Sequence, residues 1–161
     1  MLLERAPKKL SFSEAKLKIA SYCTYQERCQ QEVRDKLYSY GLFSNDVEEM
    51  ISYLITENYL NELRFSKAYA GGKFRIKKWG RIRIQLELKR RKLSDYCIKK
   101  GLDEIDENEY LDTIGQIILS RINKLPKSTP FEKRTKIAAY LFNRGYEKDL
   151  VWDQLSHLIK S

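Results

Sequence analysis

Lys73, Arg75, Lys77, Lys78, Arg81 and Arg83 alternate with Phe74, Ile76, Trp79 and Ile82, and no other stretch of this chain is better equipped for chemistry. They belong to a longer basic block that also holds Arg64, Lys67, Lys89, Arg90, Arg91 and Lys92. Twelve cations against one carboxylate, Glu87, give residues 64–92 a net charge of +11, so the remainder of a chain of net +9 carries −2. A solvated charged face normally mixes signs; here the neutralising carboxylates are missing. Such a field attracts polyanions, nucleic-acid phosphate first among them. Cations can bind phosphates, and Phe74 or Trp79 can stack on an unpaired base unless the core claims them.

Other residue sets offer less. Asp103, Glu104, Asp106, Glu107, Glu109 and Asp112 form an acidic block, and Asp106, Glu109 and Asp112 share one helical face. A metal-dependent nuclease would need such carboxylates, but with no histidine or glycine-rich loop nearby the block reads better as the acidic first turn of a helix. Cys23, Cys29 and Cys97 lack metal-ligand spacing and fall in helical patterns as small apolar residues, which suits a reducing cytoplasm. His157, the single histidine, has no nucleophile or acid set around it. The expectation is a cytoplasmic protein without enzymatic activity, cofactor or metal.

The elements that must carry the basic block are helices. Gly and Pro are scarce among 161 residues, and no apolar run approaches the roughly 18 residues of a membrane span. The pattern Val33, Leu37, Gly41, Leu42, Val47, Ile51, Leu54 recurs as Ile84, Leu88, Lys92, Leu93, Ile98, Leu102, Ile105, and again as Ile137, Leu141, Gly145, Tyr146, Val151, Leu155, Leu158. Each copy reads as a helix, a tight turn with an apolar plug, and a second helix. A further apolar helix precedes each pair, marked by Ala15 and Ile19, Phe65 and Tyr69, or Ile114 and Ile118. Thr24 with Glu27 has a capping-box pattern; Ser44, Asn61, Ser94 and Thr129 before Pro130 are further cap candidates.

The expected fold is all-α: three tandem three-helix modules in an elongated, curved row. A flexible tail covers 1–10, followed by modules over 11–60, 61–105 (the basic one) and 106–161. Lys92 replaces the glycine of its sister turns, so either the turn differs or charge there offsets a left-handed lysine's cost of about 1 kcal/mol. Ile82 and Leu86 make an apolar pair on a second face of their helix; packing against a neighbouring module is the expectation, a partner contact the alternative.

Tyr59-Leu60-Asn61-Glu62-Leu63-Arg64-Phe65-Ser66, then Lys73 and Gly80-x-x-x-Ile84-x-x-x-Leu88, resemble the RecX family of RecA-recombinase regulators. The run from Arg28 to Leu37 with Gly41 is similar to that family's first module, and the likeness covers about residues 15–158. Lys92 and Ser66 depart from the usual Gly and Ala. The resemblance implies a regulator of homologous recombination and the SOS response. It would bind the RecA–single-stranded DNA filament and mainly inhibit its recombinase, ATPase and coprotease activities. The expected partners are that filament and single-stranded DNA, with duplex DNA a further candidate. No membrane contact is expected, and the protein is expected to be a monomer. The twelve cations would form the DNA and filament contact, with Trp79, Ile82 and Leu86 as partner contacts. The competing reading is a stand-alone helical DNA-binding protein of helix-turn-helix type.

Overall fold

The computed structural model describes residues 9–160. Among them are nine helices and no strand: α1 (Phe12–Tyr25), α2 (Gln30–Ser39), α3 (Ser44–Thr56), α4 (Glu62–Lys77), α5 (Arg81–Arg90), α6 (Asp95–Leu102), α7 (Glu107–Ile122), α8 (Pro130–Asn143) and α9 (Lys148–Leu158). They pack as three successive triplets. Most of the expected tail, residues 1–8, lies outside the described residues. Its last residue is docked: the Leu10 N–H donates to the Tyr40 carbonyl at 2.9 Å.

The repeat owes its register to its turns. After α2, α5 and α8 the chain enters the left-handed region at Gly41 (φ 86°), Lys92 (φ 61°) and Gly145 (φ 93°). The next N–H reaches back five residues each time, Leu42 to Leu37, Leu93 to Leu88 and Tyr146 to Leu141, the Schellman bond that closes a helix end. Lys92 therefore keeps the glycine turn and bears its strain. The plugs Leu42, Leu93 and Tyr146 are buried, as are nearly all anchors; Leu102 is half-buried and Leu158 is 37% exposed. Each fully buried Leu or Ile contributes about 1.5–3 kcal/mol of apolar burial.

Asn61, Ser94 and Thr129 accept hydrogen bonds from the backbone three residues on. Thr24 does not cap. It lies inside α1, and its hydroxyl donates back to the Ala20 and Ser21 carbonyls, as a helical threonine can. Nor does Ser44, which is the first residue of α3 after Phe43 at the cap.

α1–α3 close over their own core, whereas α4–α9 share a continuous one. Gly80 meets the α8–α9 turn so closely that a Cβ there would lie 2.3 Å from the Gly145 carbonyl. The Gly80 N–H donates to Arg144 O at 2.8 Å and the Ile82 N–H to Gly145 O at 3.0 Å. Arg144 and the Tyr146 hydroxyl donate to the Lys77 and Lys78 carbonyls at 2.9 and 2.8 Å. Buried Tyr110 completes this junction, its hydroxyl donating to Glu147 and accepting from the Arg81 N–H. Burial and the adjacent Glu147 carboxylate drive its phenol pKa far above the usual range. The junction between the first two triplets buries Cys29 of the α1–α2 loop in the core of α4–α9 and is otherwise held by polar contacts. Arg64 pairs with Glu27 at 2.5 Å, Arg91 with Glu32 at 3.4 Å, and the Gln30 N–H donates to Glu62.

Candidate nucleic-acid interface

α4 and α5 carry the basic block, held by a close crossing of α4 on α6. Ser66 and Ala70 are fully buried, and a Cβ on Gly101 of α6 would lie 2.6 Å from the Ser66 carbonyl. Only a small residue fits at 66, which is why serine replaces alanine there without disturbing the packing.

The fold sorts the twelve cations into two groups. Arg64, Lys67, Arg81, Arg90 and Arg91 each lie within ion-pair distance of a carboxylate. Arg64 is structural: besides Glu27 it donates to the Asn58 side chain and the Asn58 and Tyr59 carbonyls, tying the α1–α2 loop to the α3–α4 turn. Arg81 belongs to the rigid junction, paired with Glu107 at 2.7 Å and Glu147 at 3.5 Å, its guanidinium 3.9 Å from the Tyr110 ring centre. Arg91 bridges Glu32 and Glu87. Burial lowers its pKa, but Tyr69 and the two carboxylates outweigh this and leave it raised. These three are half-buried, and spacing alone did not distinguish them from the rest.

Among the described residues Lys73, Arg75, Lys77, Lys78, Arg83, Lys89 and Lys92 have no carboxylate within 4.0 Å. All but Lys73 are exposed. Lys73 lies between two rings, 5.3 Å from the centre of Tyr69 and 5.0 Å from that of Trp79. Arg91 stands 4.7 Å from Tyr69 and Arg83 4.1 Å from Trp79. The result is a ladder, Arg91, Tyr69, Lys73, Trp79, Arg83, in which cations and rings alternate across α4, its following turn and α5. Each rung is worth about 0.5–1 kcal/mol at the surface and fixes flexible cations in place. Tyr69, read in the sequence only as a core position, is the residue that the pattern missed. Its period matched a core stripe, and only the fold brings Arg91 to its ring.

The aromatic residues of the block have different fates. Phe74 is buried, 5.6 Å from the Tyr110 ring, and is unavailable for stacking on a base. Trp79 is half-buried against the core. Ile76 is 79% exposed. Ile82 and Leu86 are 51% and 48% exposed, which overturns the expectation that they pack against a neighbouring module. They share the outer face of α5 with Lys89 and Arg90, opposite buried Ile84 and Leu88. A groove of about 410 Å³ runs beside the ladder, with Tyr69, Lys73, Ile76 and Lys77 on one wall and Gln26, Glu27 and Glu32 on the other.

The acidic block is spent on structure. Asp106 caps α7 by accepting from the Glu109 N–H at 2.9 Å, Glu107 holds Arg81, and Glu104 holds Lys67. No group of three potential metal ligands occurs among the described residues. His157 is exposed, its ring 2.7 Å from the Asp153 carbonyl.

Residues 61–102, the helices α4–α6 that carry the ladder, match the family model described as the second three-helix domain of RecX. Over these residues the chain is similar to the RecX family. RecX-family relatives resemble it over most of its length. The Regulatory protein RecX of Prosthecochloris aestuarii is 26% identical over 140 residues, covering 86% of this chain and 89% of that protein. The Streptococcus uberis protein of the same name is 27% identical over 150 residues, 92% of this chain but 57% of its own length. The chain thus spans little more than half of some RecX relatives. A crystal structure of RecX from Lactobacillus salivarius superposes with a TM-score of 0.83 at 21% identity, over 91% of this chain and 96% of that one. A second RecX crystal structure gives 0.78 at 15% identity, over 92% and 71%. The RecX fold is thereby established, and the family is one of regulatory proteins. No described helix is long and apolar enough to cross a membrane.

Proposed function

We propose that this RecX-like chain binds a RecA recombinase filament on single-stranded DNA and restrains its activities, acting without catalysis of its own. The observation that carries the reading is the outer surface of the second triplet. Seven cations without carboxylate partners among the described residues stand on α4, α5 and the turns after them, Lys73 within the Tyr69–Lys73–Trp79 ladder, and α5 also exposes the Ile82–Leu86 pair. Cations alone would suit any nucleic acid. An apolar pair on the same helix adds what a protein surface recognises, so a nucleoprotein filament fits better than naked DNA. The similarity to proteins named Regulatory protein RecX supports a regulatory role.

The test is equilibrium binding of the labelled full chain to preassembled recombinase filaments and to the same oligonucleotide alone, at equal salt. Tighter filament binding, weakened by Ile82→Asp with Leu86→Asp in a protein of unchanged helicity, supports the reading. Equal affinity for filament and bare strand would instead favour a stand-alone DNA-binding protein.

A further inference from the structure

The third triplet, nearly neutral in sequence, supplies a second cationic surface that adjoins the first. Arg121, near the end of α7, places its guanidinium 3.7 Å from the centre of the Tyr140 ring on α8. Arg144 lies 5.1 Å from the same ring while donating to the Lys77 carbonyl. Lys78, Arg121 and Lys124 converge on a concavity of about 200 Å³ that Gln116, Ser120 and Tyr140 also line, and no acidic residue lines it. Asp112 is one helical turn from Gln116, and Glu109 lies one turn before Thr113, whose hydroxyl donates to the Glu109 carbonyl. Among the described residues none of Lys78, Arg121, Lys124 and Arg144 has a carboxylate within 4.0 Å. Exposed Gln116 and Ser120, which have no hydrogen bond from their side chains among the described residues, add an amide and a hydroxyl to the lining.

Two features separate this surface from a chance gathering of lysines. Lys78 caps α4 in the left-handed conformation, φ 56°, where glycine or asparagine would be less strained. Its carbonyl is held by the Tyr146 hydroxyl, so the residue is fixed across the rigid junction. The cavity is also smaller than the roughly 300–1,000 Å³ of a small-molecule pocket, which suits a phosphodiester group better than a cofactor.

We propose that Lys78, Arg121 and Lys124 bind a backbone phosphate of single-stranded DNA, continuing the track that starts at the ladder. The inference rests on the filament reading only for the source of the strand. Lys77 and Lys78 are consecutive residues, so a strand leaving Lys77 meets the junction site next.

The test uses the full chain and a labelled oligothymidylate, with affinity followed across a salt titration. Arg121→Gln with Lys124→Gln should weaken binding several-fold and flatten the slope of log affinity against log salt by about 0.7–1.4, as losing one or two phosphate contacts on a single strand requires. Lys124→Gln alone, at an exposed residue, should give about half that change and covers the case in which the double variant misfolds. Wild-type affinity and slope in both variants would overturn the proposal. Lys77→Gln with Arg83→Gln reports separately on the groove wall and the ladder. If that pair is silent while the junction pair loses affinity, the junction site stands and the filament reading loses its main surface; the reverse sinks the junction site alone. Millimolar inorganic phosphate at constant ionic strength should not displace the strand. Displacement would mean a free-anion site and overturn the strand assignment.

Discussion

Gly80→Ala should uncouple the second triplet from the third, at a cost that can be worked from the junction. The new methyl would lie 2.3 Å from the Gly145 carbonyl carbon and oxygen and 2.5 Å from the Tyr146 nitrogen, all backbone atoms that cannot swing aside. The α4–α5 turn must retreat by about 1 Å to restore van der Waals contact. Four hydrogen bonds span that gap: Gly80 to Arg144, Ile82 to Gly145, Arg144 to Lys77 and Tyr146 to Lys78, at 2.8, 3.0, 2.9 and 2.8 Å. At about 1 kcal/mol net for each bond, the loss is about 3–4 kcal/mol, a large share of a typical domain's 5–15. Gly72→Ala is the matched control. That residue lies within α4 with nothing within 4 Å of its Cβ position, so the same methyl should stabilise by about 0.5–1 kcal/mol. Urea unfolding followed by circular dichroism measures both. A Gly80→Ala protein within about 0.5 kcal/mol of wild type would refute the view of the junction as a rigid backbone contact.

Further outcomes follow from other residues. Lys92→Gly relieves a left-handed side chain, and after allowing for the greater freedom of the unfolded glycine it should gain about 0.5–1 kcal/mol in urea unfolding; a loss would mean that the lysine makes a stabilising contact. Cys23 and Cys29 are buried with thiol pKa values pushed up to about 11, chiefly by desolvation, so thiolate is scarce at pH 8. A disulfide reagent should therefore modify half-buried Cys97 first and the other two only on unfolding, and three fast thiols would contradict that burial. Lys77→Glu, Lys78→Glu and Arg83→Glu together should preserve helicity while reducing DNA affinity severely. If about five phosphates are neutralised, the wild-type salt slope on single strands is about −3.5, and a salt-independent affinity would move the interface elsewhere.

The sequence displayed this fold because its repeat is written in positions that burial and backbone conformation both constrain. Leu37, Leu88 and Leu141 precede the same turn three times, and their carbonyls accept the same bond. The site was less legible. Arg64, Arg81 and Arg91 are chemically identical to Arg83 in a string of letters, yet Glu27, Glu147 and Glu32, tens of residues away, engage the first three. Exposure was misjudged where two apolar faces compete for one helix: Ile84 and Leu88 took the core, leaving Ile82 and Leu86 outside. Arg121, Lys124 and Arg144 were invisible as a group because only folding carries them to Lys78 and Tyr140.

The most direct test of the central claim is ATP hydrolysis by a RecA recombinase on single-stranded DNA, with the full chain added up to stoichiometric amounts. The filament reading requires turnover to fall with added protein and to recover when Lys77, Lys78 and Arg83 are reversed to glutamate. Unchanged turnover with wild-type chain at stoichiometry, measured where the protein demonstrably binds DNA, would contradict it.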